Sequence, residues 1–165
     1  MQALAFWKAV LVDQANFLES LIGLLAKHRV QYCVIGGQAV NAYVEPLVSL
    51  DLDLAVVVEQ IGPVEGLLRE HFLVERFPHS LNVSTPGSKL RVQIQTDPRY
   101  SAFVARAAVR DVLGVQLPVA SVEDVLQGKL WSTLSKGDLL DIERLLEVYP
   151  DLRVRVPNEV LSRLV

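Results

Sequence analysis

Cysteine occurs once in this chain of 165 residues, at Cys33. A single thiol permits no internal disulfide and no cysteine-based zinc site, which leaves oxygen-ligated metals as the cofactor class. It also fits a reducing compartment, so a cytoplasmic location is the expectation. The three histidines, His28, His71 and His79, have no spacing suited to a shared metal ion. No run of about 18 apolar residues is free of charged or polar breaks, and Lys8 interrupts Met1 to Val10 where a signal core would be continuous. A protein without membrane spans or a secretion leader is expected. Positive charge is scarce too: 16 Lys and Arg stand against 19 Asp and Glu, for a net charge of −3 and a pI near 5.6. A generic duplex-DNA binder needs a basic face and is excluded, whereas a localised nucleotide site is not. There is no internal repeat, low-complexity tract or long Pro/Gly/Ser linker, so one domain is expected.

What is present is apolar. Hydrophobic residues make up 51% of the chain and charged residues 21%, with a mean hydropathy of +0.32. That balance excludes disorder and suffices for a sizeable core. From Asn16, residues Phe17, Leu18, Leu21, Ile22, Leu24 and Leu25 recur at helical spacing up to Lys27, His28 and Arg29. An earlier helix is expected over Leu4 to Leu11. Val30 to Ile35 reads as a buried strand stopped by Gly36 and Gly37, with a short helix from Ala39 to Tyr43. Leu50 to Val58 alternates as a strand. Val64 to His71 predicts a helix, Phe72 to Phe77 a strand, and Leu81 to Thr85 with Lys89 to Thr96 a hairpin about Pro86-Gly87. Val115 to Val119 is a further apolar segment. Ser121 caps a helix running from Val122 to Leu134. A last helix, Asp138 to Val148, lines one side with Leu139, Leu140, Ile142, Leu145 and Leu146 and turns Asp138, Asp141, Arg144 and Glu147 to the other. The class is α+β.

Two places carry the chemistry. Gly36-Gly37-Gln38-Ala39 follows a strand, so the glycines let backbone N–H groups approach phosphate oxygens and the helix behind adds its dipole. Asp51 and Asp53, two apart on a strand, project from one face and present oxygen ligands to Mg2+ or Mn2+. Each feature alone has an ordinary structural explanation. Together they are hard to explain as packing, because two acids on so apolar a strand repel without a cation. Metal-assisted phosphoryl transfer uses this combination.

Val34-Ile35-Gly36-Gly37-Gln38-Ala39 with Ser49-Leu50-Asp51-Leu52-Asp53-Leu54 resembles the signature of the DNA polymerase beta nucleotidyltransferase superfamily, in its minimal bacterial and archaeal form. Leu126-Gln127-Gly128-Lys129-Leu130 and Lys136-Gly137-Asp138-Leu139-Leu140-Asp141-Ile142 are similar to two helices of AbiEii-type nucleotidyltransferases, the toxins of abortive-infection systems. The resemblance spans Val30 to Leu146. It implies a nucleotidyltransferase-like mixed sheet with helices packed on it, in one domain of N-terminal helices 1–29, core 30–119 and C-terminal helices 120–165. It further implies that Gly36, Gly37, Gln38 and Ser49 hold a nucleoside triphosphate and that Asp51 and Asp53 are catalytic and bind the metal. Lys129 would contact the nucleotide, with Lys136, Asp138 and Asp141 supporting the site from behind. The implied reaction moves a nucleotidyl group to an RNA or protein hydroxyl with Mg2+ or Mn2+, and a toxin-antitoxin role would add a protein partner.

One position departs from that pattern. The superfamily places a third carboxylate on a later strand, and here the matching stretch, Lys89 to Asp97, offers Gln93 and Gln95. An amide lends a carbonyl oxygen to a metal but brings no charge and takes no proton. Asp97 would share their face if the strand persisted, although Pro98 predicts that it ends. The alternative function is therefore a catalytically weakened nucleotide-binding or protein-interaction module of the same fold. Arg91, Arg99 and Arg106, with Tyr100 and Phe103 interleaved, are candidates for contact with an acceptor RNA. Trp7 and Trp131 read as packing residues.

Overall fold

The computed structural model describes residues 16–132 and 134–164, so the helix expected over Leu4 to Leu11, and Trp7 with it, lie outside the described residues. Helix α1 covers residues 16–27 and buries Phe17, Leu18, Leu21 and Leu25, the stripe its spacing predicts. Seven strands follow: β1 (Tyr32–Ile35), β2 (Asp51–Val56), β3 (Leu73–Phe77), β4 (Ser80–Ser84), β5 (Arg91–Gln95), β6 (Ala108–Val112) and β7 (Val115–Val119). They form one mixed sheet in the order β3-β4-β5-β2-β1-β7-β6. Central β2 runs antiparallel to β1 and parallel to β5, and the hairpins β3-β4 and β6-β7 finish the two edges. The remaining helices are α2 (Gly36–Tyr43), α3 (Ile61–Arg69), α4 (Val122–Trp131), α5 (Lys136–Val148) and the short α6 (Asn158–Leu161). The class is α+β, as the order of elements predicted.

Alternation along β2 decides what the sheet presents. Leu52 and Leu54 are fully buried in one cluster with Leu81, Val83, Val92 and Ile94 of β4 and β5 and with Val64 and Leu68 of α3. Asp51 and Asp53 take the opposite face. No described helix is long and apolar enough to cross a membrane.

Three features differ from the sequence expectations. Helix α2 starts at Gly36, directly after β1, so the glycine pair forms the first turn of a helix rather than a loop before one. Strand β5 ends at Gln95, and Asp97 caps a 3-10 helix over Pro98–Arg106 by accepting from the Arg99 backbone N–H. Strand β6 went unanticipated because Ala108 to Asp111 are all exposed, which leaves no inside-outside alternation to read. Its place is set by the hairpin with β7, turned through Leu113 and Gly114 at φ of 53° and 80°.

Candidate active site

Gly36 has a left-handed φ of 69°, and a Cβ there would collide with the Asp53 carboxylate. The start of α2 is thus pressed directly against that acid. Gly37 is different: the nearest atom to a Cβ there would be Asp141 Oδ2, at 3.9 Å. Gln38 and Ser49 serve the same corner, since Gln38 Nε2 donates to the Ser49 carbonyl at 3.0 Å and Ser49 Oγ accepts from the Asp51 backbone N–H at 3.2 Å.

The two acids share a face but not an environment. Asp51 stands exposed at the start of β2, and its Oδ1 accepts from Arg91 Nε at 3.0 Å. Arg91 is its register partner on β5, so the repulsion expected between the acids is relieved at Asp51 by a cation from within the chain. Asp53 lies deeper. Burial pushes its carboxyl up to about 6, with the charges of Asp51 and Asp138 adding to the shift and Lys129 opposing it. Among the described residues no hydrogen bond reaches that carboxylate. Its register partner on β5 is Gln93, which pairs in turn with Asn82 of β4, while Gln95 stands beside Ala55. Gln93 therefore holds the place beside Asp53. Asp97 is committed elsewhere: it accepts from Arg99 Nε at 3.0 Å and Nη2 at 2.9 Å, and this pairing holds its carboxyl below the usual range.

Two carboxylates and an amide oxygen form an all-oxygen donor set. Such a set would suit one Mg2+ or Mn2+ and would leave part of its coordination to other oxygen donors. Among the described residues no group of three or more His, Cys, Asp or Glu could hold a metal by itself.

Behind Asp53 lies a buried polar network. The Lys129 side chain is only 12% exposed, and its Nζ meets Asp138 Oδ1 at 3.2 Å and Asp141 Oδ2 at 2.8 Å. Burial pushes the amine down, but the two carboxylates outweigh it and hold its pKa above the usual value. Asp141 also accepts from Arg144 Nη1 at 2.8 Å, and Arg144 Nη2 donates to Asn41 Oδ1 at 3.0 Å and to the Glu45 carbonyl at 2.7 Å. Asn41 bonds Leu47 through both its side-chain oxygen and its nitrogen. A continuous set of bonds thus runs from α4 through α5 and α2 to the segment that delivers Ser49 and Asp51. Asp138, Asp141 and Arg144, expected to face outward, face this network instead, because a buried lysine needs carboxylate partners. Ser135 and Asp138 close a capping box at the start of α5, and Lys136 is exposed.

A cleft of about 550 Å³ opens in front of these residues, with Gly36, Asp53, Lys129 and Asp138 on one wall and Gln95, Arg99, Tyr100 and Trp131 among the others. Trp131 stacks on Phe103 at 5.6 Å, and the Arg99 guanidinium lies 4.6 Å over its ring. Of the basic and aromatic run that is a candidate for RNA contact, the aromatics are folded in and the arginines stay more than half exposed. Arg91 pairs with Asp51, Arg99 with Asp97 and Arg106 with Asp124, while Tyr100 and Phe103 are buried. Sequence reasoning missed the roles of Asn41 and Arg144; only the Asp141/Arg144 spacing hinted at an ion pair. Cys33 is core, its thiol pushed up to about 12 by burial and then Asp124. On the other side of Asp53 and Gln93 a second groove of about 450 Å³ runs across the open sheet toward Glu75, Asn82 and Ser84.

The fold has counterparts among solved structures. The lincosamide antibiotic adenylyltransferase LnuA, lincomycin-bound, matches with a TM-score of 0.56 at 15% identity, over 79% of this chain and 95% of its own. ANT(2'')-Ia in complex with adenylyl-2''-tobramycin matches at 0.60 and 14%, over 91% and 98%. An antigenic nucleotidyltransferase-like protein from Paracoccidioides brasiliensis matches at 0.54 and 19%, over 82% and 76%. The fold is nucleotidyltransferase-like. No protein-family profile and no curated protein sequence matches the chain.

Proposed function

We propose that the protein moves a nucleotidyl group from a nucleoside triphosphate to an acceptor hydroxyl, with Mg2+ or Mn2+ bound together with the nucleotide. The observation that carries this reading is Asp53: a half-buried carboxylate, raised toward neutrality, without a hydrogen bond among the described residues, and pressed against a helix N-terminus at the junction of two clefts. A group so placed gains most from a cation and a phosphate arriving together. Two of the solved structures that share the fold are named as adenylyltransferases or carry an adenylylated product, which supports the same reaction class.

In this reading Asp51, Asp53 and the Gln93 amide oxygen would hold the ion, which when bound would supply positive charge for the phosphates. Gly36 and Gly37 offer the first backbone N–H groups of α2 to the triphosphate, and Lys129 supplies the positive charge behind it. The acceptor hydroxyl oxygen bonds to the α-phosphorus, the bond from that phosphorus to the bridging oxygen breaks, and diphosphate leaves with the electron pair. The hydroxyl proton passes to a carboxylate oxygen at the junction. The amide at Gln93 favours a second reading, in which the nucleotide binds and turnover is weak, because the position beside Asp53 accepts no proton. The Lys129, Asp138 and Asp141 cluster supports the AbiEii-like assignment and, with it, a protein partner.

Calorimetric titration with Mn2+ and a non-hydrolysable ATP analogue tests the reading. The wild type is expected to bind, and an Asp51→Asn, Asp53→Asn double variant to bind at least tenfold more weakly. Equal affinities would contradict it.

A further inference from the structure

Residues 45–49, which lead into β2, make no backbone-to-backbone hydrogen bond among the described residues; the nearest such bonds run from Val44 N–H to the Val40 carbonyl and from Arg91 N–H to the Leu50 carbonyl. Strand β1 gives no support here, because its pairing with β2 stops at Ile35 opposite Asp53. Asp51 thus lies beyond the last β1 partner, and its strand partner, Arg91, is on the β5 side. Glu45, Leu47 and Val48 are exposed, so packing does not hold the segment either. What holds it is a row of side chains. Arg144 Nη2 donates to the Glu45 carbonyl at 2.7 Å, Asn41 Nδ2 to the Leu47 carbonyl at 2.8 Å and Gln38 Nε2 to the Ser49 carbonyl at 3.0 Å. Alternate residues of an extended chain point the same way, and residues three apart on a helix share a face. Helix α2 therefore flanks the segment in the place a neighbouring strand would take.

We propose that Arg144, Asn41 and Gln38 are positioning residues that set Asp51 against Asp53 for a metal ion, with Arg144 fixing the direction of the whole row. The inference rests on the nucleotidyl-transfer reading above and deepens it. A guanidinium has donors only, and Arg144 Nη2 also reaches Asn41 Oδ1 at 3.0 Å. That oxygen accepts from the Leu47 N–H as well, so the Asn41 nitrogen must turn to the Leu47 carbonyl and to Gln38 Oε1, 3.3 Å away. Gln38 is then left with its nitrogen for the Ser49 carbonyl. One cation at the end of the row orients two amides that could each be turned either way. Asp141 holds that cation, with Oδ1 on Arg144 and Oδ2 on Lys129, so the anchor of the segment is shared with the lysine of the site. Gln38 is 4% exposed and both ends of its amide are used within the chain, which gives it this role in place of contact with a triphosphate.

Two variants test the row. Arg144→Lys keeps a cation for Asp141 but gives up the planar fork that serves Asn41 and Glu45, and Asn41→Leu keeps the size of the side chain while removing its amide. In metal-free protein, NMR order parameters of residues 47–50 are expected to fall from about 0.85 to below about 0.6 in both variants, while Leu52 to Val56 stay rigid and show that the fold persists. With the non-hydrolysable ATP analogue present, both variants should bind Mn2+ about fivefold more weakly than the wild type, and neither should weaken binding further in an Asp51→Asn background, since the coupling runs through Asp51. A role in folding alone would be met by Arg144→Lys and would leave the order of residues 47–50 unchanged. The inference is overturned if those residues stay as ordered as in the wild type, or if Mn2+ binding weakens by the same factor with and without the Asp51 carboxylate. A wild type that binds neither Mn2+ nor the analogue overturns the nucleotidyl-transfer reading, and the metal placement inferred here with it. Metal binding that is the same in the wild type and both variants overturns only the inference.

Discussion

On the covered side of Asp53, helices α2, α4 and α5 close over a lysine that two carboxylates hold, and Arg144 and Asn41 extend those bonds to the chain entering β2. On its open side, β3, β4 and β5 present Glu75, Asn82, Gln93 and Arg91 to solvent, joined to Asp51 by a single exposed ion pair. One half is cross-linked by part-buried ion pairs and the other is open to solvent. Asp53 belongs to both. The difference separates a side whose charges are paired within the chain from a side whose polar groups face solvent.

The contrast is most exposed at Lys129. Replacing it with Met leaves Asp138 and Asp141 facing each other without their shared cation, and should cost about 3–5 kcal/mol in stability. Urea unfolding measures this; a loss of about 1 kcal/mol or less would mean that Arg144 alone holds the network. Gly36→Ala comes next. Left-handed strain costs roughly 1–2 kcal/mol, and the added methyl also displaces the Asp53 carboxylate, so destabilisation should be joined by loss of nucleotide binding. Gly37→Ala, where a Cβ has room, should be neutral or stabilising by about 0.5–1 kcal/mol. Thermal melts of the pair would separate the two glycines.

The third effect is one of pH. Asp53 is raised from 3.8 to about 6, so the folded state holds the extra proton between those values. Its ionisation therefore opposes folding at neutral pH, and stability from this group rises as pH falls from 7 toward 4. The melting temperature of the wild type should be higher at pH 5 than at pH 7, and Asp53→Asn should lose that slope and melt higher than wild type at pH 7. The carboxyls held low, Asp97 and Asp138, act in the opposite sense and only below the usual carboxylate range. A wild type that melts lower at pH 5 would mean that Asp53 has a partner outside the described residues. The smallest effect is on the open side. Arg91 is 78% and Asp51 56% exposed, so Arg91→Ala should change stability by no more than about 0.5 kcal/mol. It should instead free Asp51 and tighten Mn2+ binding in the presence of the ATP analogue.

Much of the fold was legible because β2 alternates so cleanly: Leu52 and Leu54 against Asp51 and Asp53 announce a central strand with one chemical face. Helices α1, α4 and α5 were legible from their spacing and from Ser121 as a cap. The inward turn of Asp138, Asp141 and Arg144 was not, since an amphipathic pattern assigns charges to solvent and gives no sign that a lysine on another helix is buried against them. Nor was the choice between Gln93 and Gln95, because strand register arises from pairing between β2 and β5 that no local pattern encodes. The end of β5 before Asp97 was legible in Pro98; what Asp97 does there, capping a 3-10 helix and holding Arg99, was visible only in three dimensions.

The place beside Asp53 offers the most direct test of whether this site is an enzyme's and of what limits it. Gln93→Asp supplies the missing carboxylate at the residue paired with Asp53, on an exposed strand position. The measurement is the single-turnover rate of label transfer from α-labelled ATP with Mg2+, to total RNA and to total protein, in wild type, Gln93→Asp and Gln95→Asp. Slow transfer by the wild type, at least tenfold faster transfer by Gln93→Asp, little change in Gln95→Asp and unaltered ATP affinity throughout are the predicted results. A wild type that is already fast, with Gln93→Asp no faster, would contradict the limiting role of the amide, and no transfer by any variant would contradict nucleotidyl transfer itself.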